Sequence, residues 1–513
     1  MLLLLPLISV TAAATPPSLT SFYPLGAARG AMVTVTASGT FERWPVRAWV
    51  SGPGLTFEAG EEKGKLTAKV ADDAVPGIYW VRLFDEQGAS PLRPFRVGHF
   101  PDLLEVEPND APEKAQRCEA LPIAIHGKFA KRGDVDSYSV TLKAGETLVA
   151  SLEGQRLGSP MDAVLQVASS DGLVLSQAED SVGLDPLLAF RAPRDDRYLV
   201  RAFAFPATPD STIGFAGGDA FLYRLSLTTG PFLDHPQPMA VRPNGPSTID
   251  AVGWGLPEGL KLMTQPMAEP GLVRVWGPEL DQSVDVPILN FPHVFTGLID
   301  QPKRANSHTL AANKGQSWRV RVMARSLGSP LDAALRVLGP AGMVLAEQDD
   351  AGNRRDPEVS FKAGEEGTYK VEVRDVTDQA GPRHFYRLEM FEPKPDFAPT
   401  LADDRVVLIA GKSVEVKVTL NRLDGLDGPI EVRCEGLPEG VTAEPVVSEG
   451  KGASAKEVKI VLKAPAESSL FQGTIGISGN AKVGEANVER HAQATINGFE
   501  QTTSRVWLTV GKP

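Results

Sequence analysis

Only two cysteines, Cys118 and Cys434, occur in 513 residues. A disulfide-stapled scaffold is thereby excluded, and the two thiols read as independent buried groups unless the fold brings them within about 7 Å. Seven histidines are scattered without ligand spacing, which leaves no zinc motif. The net charge of −12 comes without a basic stripe, so nucleic acid is not an expected partner. Helical periodicity is nearly missing, and so are the G-x-S-x-G, H-E-x-x-H, P-loop and dinucleotide fingerprints. No stretch approaches the roughly 20 apolar residues a membrane span requires. One short apolar run, Leu2–Val10, leads into Ala12-Ala13-Ala14. It has the shape of a secretory signal over residues 1–14, without the usual preceding Lys or Arg, and it implies an extracellular, periplasmic or cell-surface protein.

What is present is alternation. Met32-Val33-Thr34-Val35-Thr36 and Val414-Glu415-Val416-Lys417-Val418-Thr419-Leu420 place every second side chain on one face, the pattern of a half-buried strand. The 49 glycines and 42 prolines fall between such runs as turn signals, as at Pro76-Gly77 and Lys143-Ala144-Gly145-Glu146. Short strands with regular punctuation predict an all-β chain, and its length predicts several sandwich modules in a string.

The chain also repeats itself. Residues 151–180 and 321–350 align without a gap at an offset of 170, with twelve of thirty positions identical. The shared core is Leu157-Gly158-Ser159-Pro160-Met161-Asp162-Ala163, returning as Leu327-Gly328-Ser329-Pro330-Leu331-Asp332-Ala333. Tyr198-Leu199-Val200 and Tyr223-Arg224-Leu225 return as Tyr369-Lys370-Val371 and Tyr386-Arg387-Leu388, at offsets of 171 and 163. The shortened spacing means that the first copy carries a longer loop, within Pro206–Ala220, tipped by Gly214-Phe215-Ala216-Gly217-Gly218.

The order Glu105-Val106-Glu107-Pro108-Asn109-Asp110, Gly133-Asp134-Val135-Asp136-Ser137-Tyr138, Ala144-Gly145, Leu157–Ala163, Tyr198 and Tyr223 resembles the bacterial pre-peptidase C-terminal (PPC) domain, a jelly-roll-like sandwich of secreted peptidases. The Pro17–Gly26 opening with Pro76-Gly77-Ile78-Tyr79 resembles an IPT/TIG type of immunoglobulin-like domain. Gly436-Leu437-Pro438-Glu439-Gly440-Val441 is similar to bacterial Ig-like or fibronectin-like modules. The expected layout is a signal at 1–14, an Ig-like module at 15–100, PPC at 101–230, a small β-rich insert at 231–290, PPC at 291–392 and an Ig-like module at 393–513.

The duplication acts as an internal control. Asp162/Asp332, Asp180/Asp350 and Asp185/Asp356 stand in both copies and read as turn-forming structural residues. The acidic segment does not recur. Asp134 and Asp136 become Arg304 and Asn306, and Glu105–Asp110 shifts onto Val275–Leu280, where none of its three carboxylates is matched by another. Some PPC-type domains of bacterial collagenases hold calcium with such a segment. That resemblance maps calcium onto Glu105, Glu107, Asn109, Asp110, Asp134 and Asp136, with Tyr223 as a weaker candidate; the alternative is a solvated acidic linker. No catalytic residue is expected. Two functions stand open: a secreted non-enzymatic binding or adhesion protein for an extracellular protein or polysaccharide, with the long loop and aromatics such as Trp254 as contacts, or an accessory of a secreted peptidase acting in trans.

Overall fold

The computed structural model describes residues 15–208, 214–243, 248–267, 269–352 and 355–512, so the signal-like segment at 1–14 lies outside the described residues. Strands take up 55% of the chain and helix 2%, an all-β architecture of packed sandwiches. Alternation in sequence becomes alternation in burial: Lys65–Val70 and Ser413–Leu423 send every second side chain inward.

The sheets group along the chain. Residues 18–98 form two facing sheets around Leu19, Phe22, Val81 and Phe95. The first repeat copy follows, with two five-stranded sheets closed over Ile125, Tyr138, Leu152 and Tyr223. A two-stranded and a three-stranded sheet between 232 and 287 enclose a small core around Val275 and Leu280. The second copy has two four-stranded sheets around Val320, Leu335 and Tyr386, and residues 396–511 form the largest sandwich. Cys118 and Cys434 are both free thiols, in separate cores, and burial pushes them up to about 11 and about 12.

The shared Leu-Gly-Ser-Pro segment has a structural explanation in both copies. Its leucine ends a single 3-10 turn, Gln155–Leu157 or Arg325–Leu327, that is capped by a left-handed glycine, Gly158 (φ 94°) or Gly328 (φ 81°). Asp185 accepts hydrogen bonds from the N–H groups of Gly154, Gln155 and Arg156. Asp356 does the same for Ala324, Arg325 and Ser326. Ser159 Oγ donates to the Leu222 carbonyl, and Ser329 Oγ to that of Arg383. These aspartates satisfy orphan turn donors, which is why both copies keep them.

The modules do not trail apart. Arg82 donates to Asp404 across 322 residues at 2.6 Å, with both side chains buried, and Trp507 packs on Phe84 and Trp49. The last sandwich therefore sits on the first. Asp281, in the insert, is fully buried: it accepts from both Arg224 Nη atoms at 2.9 Å and from the N–H groups of His99 and Phe100. Arg96 lies 3.7 Å away and donates to the Asp281 carbonyl. One carboxylate thus joins three modules. Burial alone would raise its pKa, but Arg224 and Arg96 outweigh burial and hold it well below the usual carboxylate range.

Removing Asp281 leaves two buried guanidinium groups, Arg96 and Arg224, sharing the single carboxylate of Glu153 at 3.3 and 3.4 Å. Asp281→Ala is expected to lower stability by about 3–5 kcal/mol in urea unfolding. Because the folded-state pKa is depressed, the carboxylate's contribution is complete above an unfolded value of about 4 and disappears as pH falls through the folded value. A loss below about 1 kcal/mol at neutral pH would show that the modules are held by other contacts.

Candidate metal centre

The segment leaving the first sandwich adds one short strand to each sheet of the first repeat copy. Asp102–Leu104 runs parallel to Ile123–Lys128, and Gln116–Arg117 runs parallel to the start of Tyr138–Ser139. Between these two strands the chain crosses the edge of the sandwich, and that crossing carries Glu105, Glu107, Asn109 and Asp110. Facing it is the turn that leads into Asp136–Leu142, with Asp134 and Asp136 at its end.

The crossing brings the acids together. Glu105, Glu107 and Asp136 each place a carboxylate oxygen within 4.8 Å of the others. Asn109 is fully buried; its backbone N–H donates to Glu107 (2.9 Å) and its Nδ2 to Glu105 Oε1 (3.1 Å). The second Glu105 oxygen accepts from the Lys128 N–H at 2.8 Å. Asp134 accepts from the Ala130 N–H, and Lys131 reaches both Asp110 and Asp134, at 3.5 and 3.6 Å. Tyr223 donates to Asp136 at 2.5 Å and lies 2.5 Å from the Tyr138 hydroxyl. All seven residues singled out from the sequence therefore lie at one place.

Three oxygens in this cluster remain without a hydrogen-bond donor although each is buried: Asn109 Oδ1, Asp134 Oδ1 and Asp136 Oδ1. Buried acceptors are ordinarily satisfied, by a donor, a water or an ion, and Asp134 Oδ1 has only the Lys131 ammonium near it, at 3.6 Å. Burial, then the Glu105 charge, pushes Asp136 up to about 10, and burial also raises Asp134 and Glu107. A divalent cation inverts this balance, and an all-oxygen set of carboxylates plus an amide carbonyl suits calcium. The residues present fit that ion. Glu105, Glu107 and Asp136, with Asn109 Oδ1 and the Asp134 oxygen that Lys131 faces, would hold it, and Asp110 would add charge from the rim. Burial drives both phenol pKa values well up, so Tyr223 and Tyr138 remain protonated and act as donors that orient the carboxylates.

Tyr138 was not legible as a site residue. The signal that finds it is the copy comparison, because its counterpart at the offset of 170 is His308. The second copy confirms the physical logic: Asn306, replacing Asp136, donates to the Leu298 carbonyl and to the Tyr386 hydroxyl, so no buried charge remains there. The long loop belongs to the same place. Phe215 stacks on Phe203 with centroids 4.4 Å apart, and its carbonyl accepts from Gly133, while Gly218 donates to Phe129. The two features exclusive to the first copy are one assembly, in which the loop braces the acidic turn from behind. Within the described part of that loop Phe215 and Ala216 are packed while Asp219 and Ala220 are exposed, and Trp254, half-buried, packs edge-on against Phe232.

Asp136→Asn, which copies the second repeat, is expected to raise the melting temperature of chelator-treated protein and to remove its response to calcium. In the native sequence, calcium at 100 times its Kd should add about 2.7 kcal/mol. An unchanged melt with and without calcium would end the assignment.

No family model matches the chain. An alignment 165 positions long, which takes in 29% of this chain, is 28% identical to a probable subtilase-type serine protease of Deinococcus radiodurans and covers 21% of that protein's length. Among solved structures, the pre-peptidase C-terminal domain of a Bacillus anthracis collagenase aligns over 24% of this chain and 100% of that domain, with 13% identity and a TM-score of 0.18. Fibronectin(III)-like modules of Clostridium thermocellum CbhA align over 43% of this chain and 95% of theirs, with 11% identity and a TM-score of 0.13. Among the described residues, no helix is long and apolar enough to cross a membrane. By its own sheets and cores, the chain is a multi-domain β-sandwich protein.

Proposed function

We propose that this chain is a secreted, non-enzymatic binding protein that meets an extracellular protein or polysaccharide, with calcium ordering the entry segment of its first repeat copy. The observation that carries the reading is the chemistry of its built polar site. That site gathers carboxylates, an amide and two phenols kept protonated by burial. Such a set holds a hard cation and fixes a backbone segment; it supplies neither an activated nucleophile nor a base beside one. Sandwiches locked to one another by Asp281 and by the Arg82–Asp404 pair make a rigid support for recognition along their edges and loops.

A second reading is favoured by one specific observation, the sequence match to a subtilase-type protease. On that reading the chain assists a secreted peptidase in trans, by directing or protecting it. Retention of partners from the secreted fraction on the immobilised full chain, with calcium and with chelator, separates the two. Capture of a matrix protein or glycan, reduced by chelator, is expected. Recovery of a peptidase instead would establish the accessory role, and substrate turnover by the purified chain would overturn both.

A further inference from the structure

The two repeat copies differ most at one sandwich edge. Ile123–Lys128 in the first copy and His293–Leu298 in the second are equivalent at an offset of 170, and Gly127 and Gly297 each lie under a tyrosine ring, Tyr223 or Tyr386. In the first copy the sheet continues past this strand. Asp102, Leu103 and Leu104 pair in parallel with Ala124, Ile125 and His126. The Ala124 N–H donates to the Pro101 carbonyl (2.9 Å), and the Glu105 N–H to the His126 carbonyl (3.0 Å). Gln116–Arg117 extends the opposite sheet in the same manner.

In the second copy, both sheets stop. His293–Leu298 and Asn306–Ala312 are terminal strands, and no described strand pairs with their outer edges. Burial registers the difference. Ile125 and Tyr138 are 0% exposed, whereas their counterparts are Phe295, 36% exposed, and the half-buried His308. The Phe295 and His308 rings stand 5.1 Å apart, bridging the two open edges, and Leu298 beside them is 41% exposed. The insert touches a face of this strand, through the Met239 N–H to Thr296 Oγ1 (3.2 Å), and leaves its edge unpaired.

We propose that this edge of the second copy receives an extended peptide strand from a partner protein, parallel to His293–Leu298, with an aliphatic residue seated on Phe295 and an acidic residue two positions later. The first copy supplies the template: Leu103 lies opposite Ile125, and Glu105 follows two residues on. Charge selects the acid. In the first copy Glu105 meets Asp136 and needs a cation between them; in the second, Arg304, Asn306 and His308 replace Asp134, Asp136 and Tyr138. An incoming carboxylate there meets the exposed Arg304 guanidinium and no opposing carboxylate, since the Asn306 amide is already spent on the Leu298 carbonyl and the Tyr386 hydroxyl. Ladder hydrogen bonds from an unpaired edge provide the affinity, and the aromatic seat with its basic rim provides the selectivity.

This inference rests on the binding reading above and narrows its partner to a peptide strand. It is tested in chelator, on the full chain, with a fluorescent peptide of the sequence of residues 100–107 (Phe-Pro-Asp-Leu-Leu-Glu-Val-Glu). Saturable binding is expected, with hydrogen-exchange protection appearing over 293–298. Val294→Pro removes the outward N–H equivalent to that of Ala124 while sparing the ladder to Phe385–Phe391, and should weaken binding at least tenfold. Arg304→Glu, an exposed change that leaves the core untouched, should also weaken it. Lack of saturation at millimolar peptide, protection over 123–128 instead, or unchanged affinity in both variants would overturn the proposal. A chain that ignores the peptide yet retains a calcium-dependent partner would refute strand addition and leave the binding reading intact.

Discussion

The main-chain N–H and C=O groups along the last strand of a sheet need partners, and in this protein that requirement organises the first repeat copy. Its two sheets end in strands that the preceding segment covers, one with three residues and the other with two. To reach both sheets, the segment has to cross the open side of the sandwich, and the crossing lies directly over Tyr138, Tyr223 and Asp136. Several carboxylates are thereby pressed into a space that burial makes inhospitable to charge. The acidic cluster follows from how the edge is closed. A cation bound there would reconcile the two demands, because it would neutralise the carboxylates and tie the crossing to the sandwich at once.

The second copy solves the same problem by leaving it out. No described segment covers its edge, and its interior at that point is neutral or basic: Asn306 bonds to a carbonyl and a phenol, and His308 bonds to Tyr386 at 2.8 Å. No cation is needed, and the edge is left with aromatic side chains facing outward. Duplication has left one copy whose edge its own chain covers and one whose equivalent edge no described strand pairs. The compact packing of the modules keeps the two edges in a fixed relation, since the insert between the copies is anchored by Asp281 on one side and by the Arg383–Asp234 pair (2.9 Å) on the other.

Much of this was legible in the amino-acid sequence. Two-residue alternation, as in Val414–Leu420, reports half-buried strands directly, and the sheets follow it. The candidate ligands were legible because the repeat separates what the fold requires, such as Asp185 and Asp356 capping their turns, from what only one copy carries. Other features leave no local pattern. Asp102–Leu104 and Gln116–Arg117 are too short for a periodic signal, so the strand additions that create the site could not be read. Asp281 and Arg224 are 57 residues apart, and Arg82 and Asp404 are 322 apart; ion pairs at such separations depend on how whole sandwiches dock. The extra length of the loop at Pro206–Ala220 shows in the repeat spacing, while the stacking of Phe215 on Phe203 is a tertiary fact with no local pattern.

A crossing that depends on a cation at the edge of the first copy, beside an open equivalent edge in the second, has a direct signature in backbone protection. Amide hydrogen exchange on the full chain, followed at Ala124 and Glu105 and at Val294 with calcium and with chelator, measures both halves together. The account predicts slow exchange at Ala124 and Glu105 that accelerates when calcium is removed, and fast exchange at Val294 in either condition. Equal protection of Ala124 and Val294, indifferent to calcium, would contradict it.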